Sequence, residues 1–151
     1  MLDKLKEIII HHEGKRSLVY DDATSISLTK GSTLKGYATI GVGRDISGFG
    51  LSEDEIHYLL DNDIKRCIEE IERQNFSWWE NLNEVRKICI ISQVFNMGLT
   101  RFLNFKNMIK ALERKDYARA SIEMRDSLWY RQNTNRVEQL AVWMDCGQFP
   151  Q

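Results

Sequence analysis

The sequence predicts a mostly helical α+β protein with a small N-terminal lobe, a long connecting helix and a C-terminal helical bundle. Apolar residues at helical spacing fill most of the chain, and only residues 20–43 are rich in Thr, Ser, Gly and β-branched residues. One helical pattern near the middle is long enough to join two lobes. The 151 residues, 42% of them hydrophobic, suffice for one compact core or for two small lobes that share a helix.

The first helix is predicted over residues 3–12. Asp3 can act as its N-cap, and Gly14 ends it because glycine readily leaves the helical conformation. The face predicted to point inward carries Leu5, Ile8 and Ile9.

The sheet is predicted between residues 20 and 43. Lys30-Gly31-Ser32 is typical of a turn and lies between two short strands at 25–28 and 37–42. We therefore expect a β-hairpin or a three-stranded sheet in the N-terminal lobe.

A long helix is predicted from Ser52 to about Arg73. Ser52 and Glu55 have the spacing of a capping box, in which each side chain bonds to the backbone N–H of the other residue. A helix of roughly 20 residues spans about 30 Å, so we interpret this one as the connection between the lobes.

The rest of the chain predicts a helical bundle. Residues 83–97 are apolar nearly all round, which is typical of a central helix, and Gly98 is its expected C-cap. Shorter helices are expected at about 105–114, 116–128 and 135–146, the last with Asn135 and Glu138 at cap spacing. The predicted organisation is a single domain, 1–151, with an N-terminal lobe over about 13–60, the connecting helix over about 52–73, and a helical lobe over about 74–151 that includes helix 3–12.

Composition argues against several classes of partner. A net charge of -1 gives no reason to expect nucleic acid or an anionic membrane, and no stretch approaches the roughly 18 apolar residues of a membrane span. Neither the cysteines nor the histidines have metal-ligand spacing, so we expect no metal and no cofactor. The cysteines are interpreted as reduced core thiols, and the charged N-terminus predicts a protein made in the cytoplasm. The cysteines are Cys67, Cys89 and Cys146, and the histidines are His11, His12 and His57.

Two carboxyl groups lie close to the glycine-rich segment 36–43. Glu13 comes at the end of the first helix, and Asp22 lies in the following loop. Hydrolysis of a glycosidic bond uses two carboxyl groups, one as a proton donor and one to activate water. The spacing alone favours a solvated helix end and a turn cap, with a catalytic pair as the alternative, so both interpretations stay open. Because successive side chains point different ways, only one of Asp22 and the neighbouring Asp21 can face a cleft.

Several segments resemble the phage lysozymes of the T-even type, glycoside hydrolase family 24. The first group surrounds the two carboxyl groups and comprises Glu13-Gly14, Tyr20, Asp22 and Gly36-Tyr37-Ala38-Thr39-Ile40-Gly41-Val42-Gly43. The second comprises Asn62-Asp63-Ile64, Phe95-Asn96-Met97-Gly98, Phe105, Trp129-Tyr130, Gln132 and Asn135-Arg136. The resemblance covers nearly the whole chain and implies a lysozyme-like fold, in which Trp78, Trp79 and Trp129 are packing residues.

The resemblance implies a muramidase with Glu13, Asp22 and Thr39 as catalytic residues. The family spacing selects Asp22 over Asp21, which is interpreted as a solvated turn residue. Glu13 is expected to be a partly buried general acid, and Asp22 to orient water with the Thr39 hydroxyl in an inverting reaction. Arg136, beside Glu13, and Tyr20 are expected to support the site. Phe95 and Gln132 are expected to contact substrate, although Phe95 fits a core position equally well.

Some positions depart from the family pattern. Asp45 replaces an apolar residue, Met108 a small hydroxyl residue and Glu123 a neutral amide at positions that contact sugar, so these are candidate substrate-binding residues of altered chemistry. Arg44 and Asp63 stand where the family has a His–Asp ion pair, which predicts a structural pair here. The insertion between residues 22 and 36 lengthens the hairpin.

The resemblance implies an endolysin that cuts peptidoglycan between N-acetylmuramic acid and N-acetylglucosamine. We expect a monomer that stays in the host cytoplasm until a holin releases it to the periplasm and cell wall. Two alternatives keep the same fold. One is a non-catalytic peptidoglycan-binding module, favoured by the altered sugar contacts, and the other is a lytic transglycosylase, which uses one acid.

Overall fold

The computed structural model describes residues 1–149 and has the predicted α+β fold, mostly helical with a three-stranded antiparallel sheet. The chain divides into two compact units, Met1–His57 and Tyr58–Gln151. This division groups the first helix with the sheet. Its predicted membership of the helical lobe is not tested by this grouping and stays a prediction.

Helix α1, Leu2–Glu13, opens the first unit. Gly14 ends it as predicted, with φ at +75°, where a side chain would strain the backbone. The Asp3 prediction is wrong, because the helix begins one residue earlier and Asp3 lies in its first turn. The apolar face predicted to point inward also stays a prediction.

The sheet consists of β1, Arg16–Asp21, β2, Ala38–Gly41, and β3, Arg44–Asp45, in the order β1-β2-β3. The β2 strand and a turn at Thr29–Ser32 were predicted, and the Ser32 N–H donates to the Thr29 carbonyl over 3.0 Å. The strand predicted at 25–28 contributes only a single bridge, between Ser27 and Tyr20. β1 was not predicted, and its register with β2 shifts between Arg16 and Tyr20.

Helix α2, Glu53–Glu72, crosses the boundary between the units. Its capping box is confirmed in both directions. The Ser52 N–H donates to Glu55 Oε2 over 2.8 Å, and the Glu55 N–H donates to Ser52 Oγ over 3.3 Å. The first bond is also the main reason why the pKa of Glu55 is lowered.

The second unit is helical. After a 3-10 helix at Trp79–Asn81 come α3, Glu84–Met97, α4, Leu99–Phe102, α5, Lys106–Glu113, α6, Tyr117–Arg125, α7, Leu128–Gln132, and α8, Thr134–Cys146. Asn83, Asp116 and Ser127 each accept a backbone N–H at the start of a helix. The cap predicted for α8 is wrong, because α8 begins at Thr134 and Glu138 is bound by Arg125 at 2.6–3.1 Å.

The core of the second unit is built mainly from α3, α5, α6 and α8. Trp78, Trp79 and Trp129 are buried, as predicted for packing residues. Cys67 and Cys89 are buried free thiols, whereas Cys146 is exposed, contrary to its interpretation as a core residue. Burial raises the pKa of Cys89 to about 12, so this thiol stays protonated. The fully buried apolar side chains include Ile71, Ile90, Val94, Phe102, Met108, Leu112, Met124, Val137 and Met144.

Two sets of contacts tie α8 to its neighbours. Arg125 of α6 donates from Nε and Nη2 to the Glu138 carboxylate, which raises the pKa of the arginine and lowers that of the carboxyl group. At the other end of α8, Arg86 of α3 donates from Nε to the Met144 carbonyl and from Nη2 to the Asp145 carbonyl, both over 2.8 Å. Within residues 1–149, no helix is long and apolar enough to cross a membrane.

Candidate active site

Glu13 is the last residue of α1, and Gly14 turns the chain away behind it. The carboxyl group lies beside the β2–β3 turn, since a Cβ built on Gly43 would be 3.9 Å from Glu13 Oε2. The Glu13 side chain is exposed in the free protein. The partial burial predicted for it, beside the helical bundle, stays a prediction.

Asp22 follows β1 and is fixed by the backbone of the returning strand. Its Oδ1 accepts the Tyr37 N–H over 2.6 Å, and its own N–H donates to the Tyr37 carbonyl over 3.1 Å. A Cβ on Gly36 would stand only 2.1 Å from Asp22 Oδ1, so this glycine leaves the space that the carboxylate occupies. Among the described residues, Oδ2 of Asp22 has no hydrogen-bond partner, and the side chain is exposed.

Thr39 lies in β2 opposite Tyr20 of β1 and is only 4% exposed. Its hydroxyl donates to the Tyr37 carbonyl over 3.2 Å. The main chain of Tyr37 thus contacts both residues. Its N–H donates to the Asp22 carboxylate, and its carbonyl accepts from the Thr39 hydroxyl and from the Asp22 N–H. The structure brings Asp22 and Thr39 together through the main chain of Tyr37, a residue whose part sequence reasoning missed.

Asp21 has a very different environment from the one predicted. It is 2% exposed, and its carboxylate accepts the backbone N–H groups of Lys35, Ala23 and Gly36 at 2.7–3.0 Å. The Lys35 N–H makes the largest contribution to lowering the pKa of Asp21. The interpretation of Asp21 as a solvated turn residue is wrong. Its one sequence signal is an Asp followed by Thr24 and Ser25, a composition typical of a turn held by an aspartate side chain.

Tyr20 is half-buried in β1. The guanidinium carbon of Arg16 lies 4.3 Å from the centre of its ring, and Arg16 Nη1 donates to the Ser25 carbonyl over 2.8 Å. Tyr20 forms a β-bridge with Ser27 of the hairpin loop and stands opposite Thr39 in the sheet. Its predicted role as a supporting residue stays a prediction.

Asp45 and Arg44 form β3 and bond within their own unit. Asp45 Oδ1 accepts from the Ser47 hydroxyl, the Ser47 N–H and the Gly48 N–H, and the hydroxyl contributes most to lowering the pKa of Asp45. Asp45 Oδ2 accepts no hydrogen bond from the described residues, so it is the oxygen available for the predicted contact with substrate. Arg44 binds Glu55 and the Gly50 carbonyl, while Asp63 bonds to Arg66 over 2.9 Å. The predicted Arg44–Asp63 pair would join the two units and stays a prediction.

The remaining candidates lie along cavities of the second unit. Phe95, 48% exposed, and Arg136 line a largely apolar cavity of about 500 Å³. Glu123, which pairs with Arg119, and Met108 line a second cavity of about 420 Å³. The Met108 side chain is fully buried and so unable to contact a sugar in this structure. Gln132 lines a third, of about 620 Å³. The structure thus groups Phe95 with Arg136 and leaves Gln132 apart from both.

The described residues hold no cluster of three or more His, Cys, Asp or Glu side chains suited to a metal ion. The chemistry that the first unit offers is that of carboxyl groups and a hydroxyl: Glu13 at a helix end, and Asp22 with Thr39 on the Tyr37 backbone. Such groups can transfer protons and orient water without any bound ion.

Comparison with known proteins gives a consistent result. The model of the Phage lysozyme family matches residues 11–142. Two proteins of Dictyostelium discoideum described as probable T4-type lysozymes 1 and 2 are 26% and 25% identical over 175 aligned positions, covering 97% of this chain and 96% of each relative. The pre-baseplate central spike protein Gp5 of Enterobacteria phage T4 is 27% identical over 110 positions, which cover 70% of this chain but 19% of that protein.

Proposed function

The chain belongs to the phage lysozyme family, and on this premise we propose that it hydrolyses the β-1,4 bond between N-acetylmuramic acid and N-acetylglucosamine in bacterial peptidoglycan. Lysozyme relatives that align over nearly the full chain support this activity. The observation on which the proposal depends is the bonding of the Asp22 carboxylate and the Thr39 hydroxyl to the same residue, Tyr37, in the unit that also carries Glu13.

Glu13 is the proposed general acid. Its carboxyl group delivers a proton to the glycosidic oxygen as the bond to the leaving sugar breaks. The exposed side chain in the free protein is accessible to substrate, and a bound glycan would exclude water from it.

Asp22 and Thr39 are proposed to hold the attacking water. Because Oδ1 of Asp22 already accepts the Tyr37 N–H, Oδ2 is the atom left to accept a proton from water. The Thr39 hydroxyl gives its proton to the Tyr37 carbonyl, so its oxygen can accept a second bond from the same water. Attack from the face opposite the leaving group inverts the anomeric carbon, a geometry that needs carboxyl groups roughly 6.5–9.5 Å apart.

Release of reducing ends from purified sacculi tests the assignment of the acid. Glu13→Gln removes the acidic proton while keeping the size of the side chain, so we expect activity to fall at least about 100-fold. Glu7→Gln is the matched control, since Glu7 is an exposed glutamate of the same helix with only a surface pair to Lys4. Equal activity of wild type and Glu13→Gln would show that another group is the acid.

Product analysis separates the proposed reaction from its alternatives. Mass spectrometry distinguishes hydrolysed muropeptides from the anhydro sugars of a lytic transglycosylase, and NMR of the first product formed gives its anomeric configuration. We expect hydrolysis with inversion. Binding of sacculi without release of reducing ends would identify a non-catalytic wall-binding module instead.

The wider role proposed is that of a monomeric endolysin used for host lysis. In this role the enzyme waits in the host cytoplasm and reaches the periplasm and cell wall through a holin pore. Membership of a family of phage lysozymes supports it. Expression in a Gram-negative host with and without a holin tests the route: lysis should require both proteins, and lysis without a holin would rule the route out.

A further inference from the structure

Asp21 is the most thoroughly bonded carboxylate of the hairpin, and the mechanism above does not use it. It lies one residue before Asp22 but is buried, whereas Asp22 is exposed. Its Oδ2 accepts the Lys35 N–H over 2.7 Å, and its Oδ1 accepts the N–H groups of Ala23 and Gly36, each over 3.0 Å. One side chain therefore bonds both ends of the loop that separates β1 from β2.

These bonds end at the residue whose N–H holds Asp22. Lys35 and Gly36 immediately precede Tyr37, so fixing their two N–H groups limits where the next N–H can point. Gly36 is also the residue against which the Asp22 carboxylate lies, with no room for a Cβ. The position of Asp22 thus depends on a stretch of backbone that Asp21 anchors.

We propose that Asp21 is a positioning residue for the reaction, which anchors Lys35 and Gly36 so that the Tyr37 N–H and the Asp22 carboxylate stay in register. The inference rests on the proposed function, because it concerns the orientation of the group that activates water. It predicts that loss of these bonds lowers the rate of the chemical step more than it lowers substrate binding. A misplacement of about 1 Å at a reacting group can reduce the rate by about 100-fold.

Asp21→Asn is the variant that tests this. The amide keeps the size of the side chain but presents an NH₂ group to at least one backbone N–H, so at least one of the bonds is lost. On soluble glycan fragments we expect kcat to fall at least about tenfold while KM changes by less than about twofold. The amide proton resonance of Tyr37 should also shift upfield, because its short bond to Asp22 lengthens.

Ser32→Ala is the matched control in the same loop. It removes the bond from the Thr29 N–H to Ser32 Oγ at the tip of the hairpin, without touching Asp21 or Tyr37. We expect kcat and the Tyr37 resonance of this variant to match those of wild type. If Asp21→Asn also retains the kcat of wild type with a folded sheet, Asp21 is merely structural and the inference is wrong.

A second measurement applies if Asp21→Asn does not fold. In the wild type, hydrogen exchange should be slow at the amides of Lys35, Gly36 and Tyr37, and the three should open together. Free exchange at Lys35 and Gly36 beside a protected Tyr37 would overturn the anchoring. If the wild type releases no reducing ends, the proposed function fails, and hydrogen exchange still decides whether Asp21 anchors the loop.

Discussion

At the scale of the residue, Gly36 is required for space rather than for backbone conformation. Its φ is not positive, so another residue could adopt this backbone. A Cβ would, however, approach Asp22 Oδ1 to 2.1 Å and the Ala23 Cβ to 2.8 Å. The Asp22 carboxylate can accept the Tyr37 N–H only because position 36 has no side chain.

Gly36→Ala should therefore displace Asp22. We expect release of reducing ends to fall about 100-fold, as for other small misplacements of reacting groups. The initial rate at saturating substrate measures the effect, because the substrate-binding candidates of the second unit are unchanged.

Gly31→Ala controls for the general cost of replacing a glycine in this loop. Gly31 has φ at +87° with open space around it, so alanine strains the backbone by about 1 kcal/mol without meeting a neighbouring atom. This variant should be less stable but fully active when folded. The explanation fails if the two alanine variants lose activity equally.

The resemblance selected Glu13, Asp22 and Thr39 as catalytic residues, and these roles stay predictions. Asp22 and Thr39 lie together on the Tyr37 backbone. Asp21 was misjudged because two of the N–H groups that it binds come from residues 14 and 15 positions later in the chain. Such partners depend on how a long loop returns, which local spacing does not indicate.

At the scale of the element, the C-terminus of α8 depends on α3. Arg86 donates to the Met144 and Asp145 carbonyl groups, and Asn83 Nδ2 donates to the Gly147 carbonyl over 2.8 Å. The Arg86 guanidinium also lies 3.7 Å from the centre of the Tyr117 ring. A cation at this end of a helix both satisfies free carbonyl groups and interacts favourably with the helix dipole.

Arg86→Ala should leave these carbonyl groups without a partner. We expect the free energy of unfolding to fall by about 2–3 kcal/mol, as is typical for hydrogen bonds from a charged donor. Urea unfolding followed by tryptophan fluorescence measures the change. Arg73→Ala, which removes an exposed pair with Glu69 within α2, should cost less than about 0.5 kcal/mol. Similar losses in the two variants would contradict the proposed capping role.

Elements with local signals were predictable, and those that depend on distant partners were not. The Ser52–Glu55 capping box and the apolar pattern over residues 83–97 predicted the starts of α2 and α3 to within a residue. Glu138 had the spacing of a cap residue but bonds to Arg125 on another helix. β1 was missed because a strand is defined by its pairing, here with residues about 20 positions later.

At the scale of the whole molecule, the two units differ in their dependence on ionised carboxylates. Hydrogen bonds and arginine partners lower the pKa of Asp21, Asp45 and Glu55 in the first unit, and Arg125 does so for Glu138 in the second. A lowered pKa in the folded state gives stability above the ordinary pKa, which is lost as pH falls through the lowered value. Lowering the pH should therefore reduce the folding stability of the first unit more than that of the second.

We expect the first unit to lose its structure at a higher pH than the second in a titration downward from about pH 5. NMR resonances of Ala38 and Thr39 report on the sheet, while all 4 tryptophans lie in the second unit and report on it by fluorescence. Glu55→Gln should make the acid dependence of the sheet less steep, because one of its titrating carboxylates is gone. Coincident transitions of the two probes would count against separate acid responses.

The use of the Tyr37 main chain has a practical consequence. Its peptide groups bind Asp22 and Thr39, while its side chain is 60% exposed. Position 37 can therefore accept a cysteine carrying a fluorophore or spin label, and only proline is unsuitable because it lacks the N–H group. A probe attached there would lie beside the proposed catalytic groups and sense glycan binding while leaving their bonds in place.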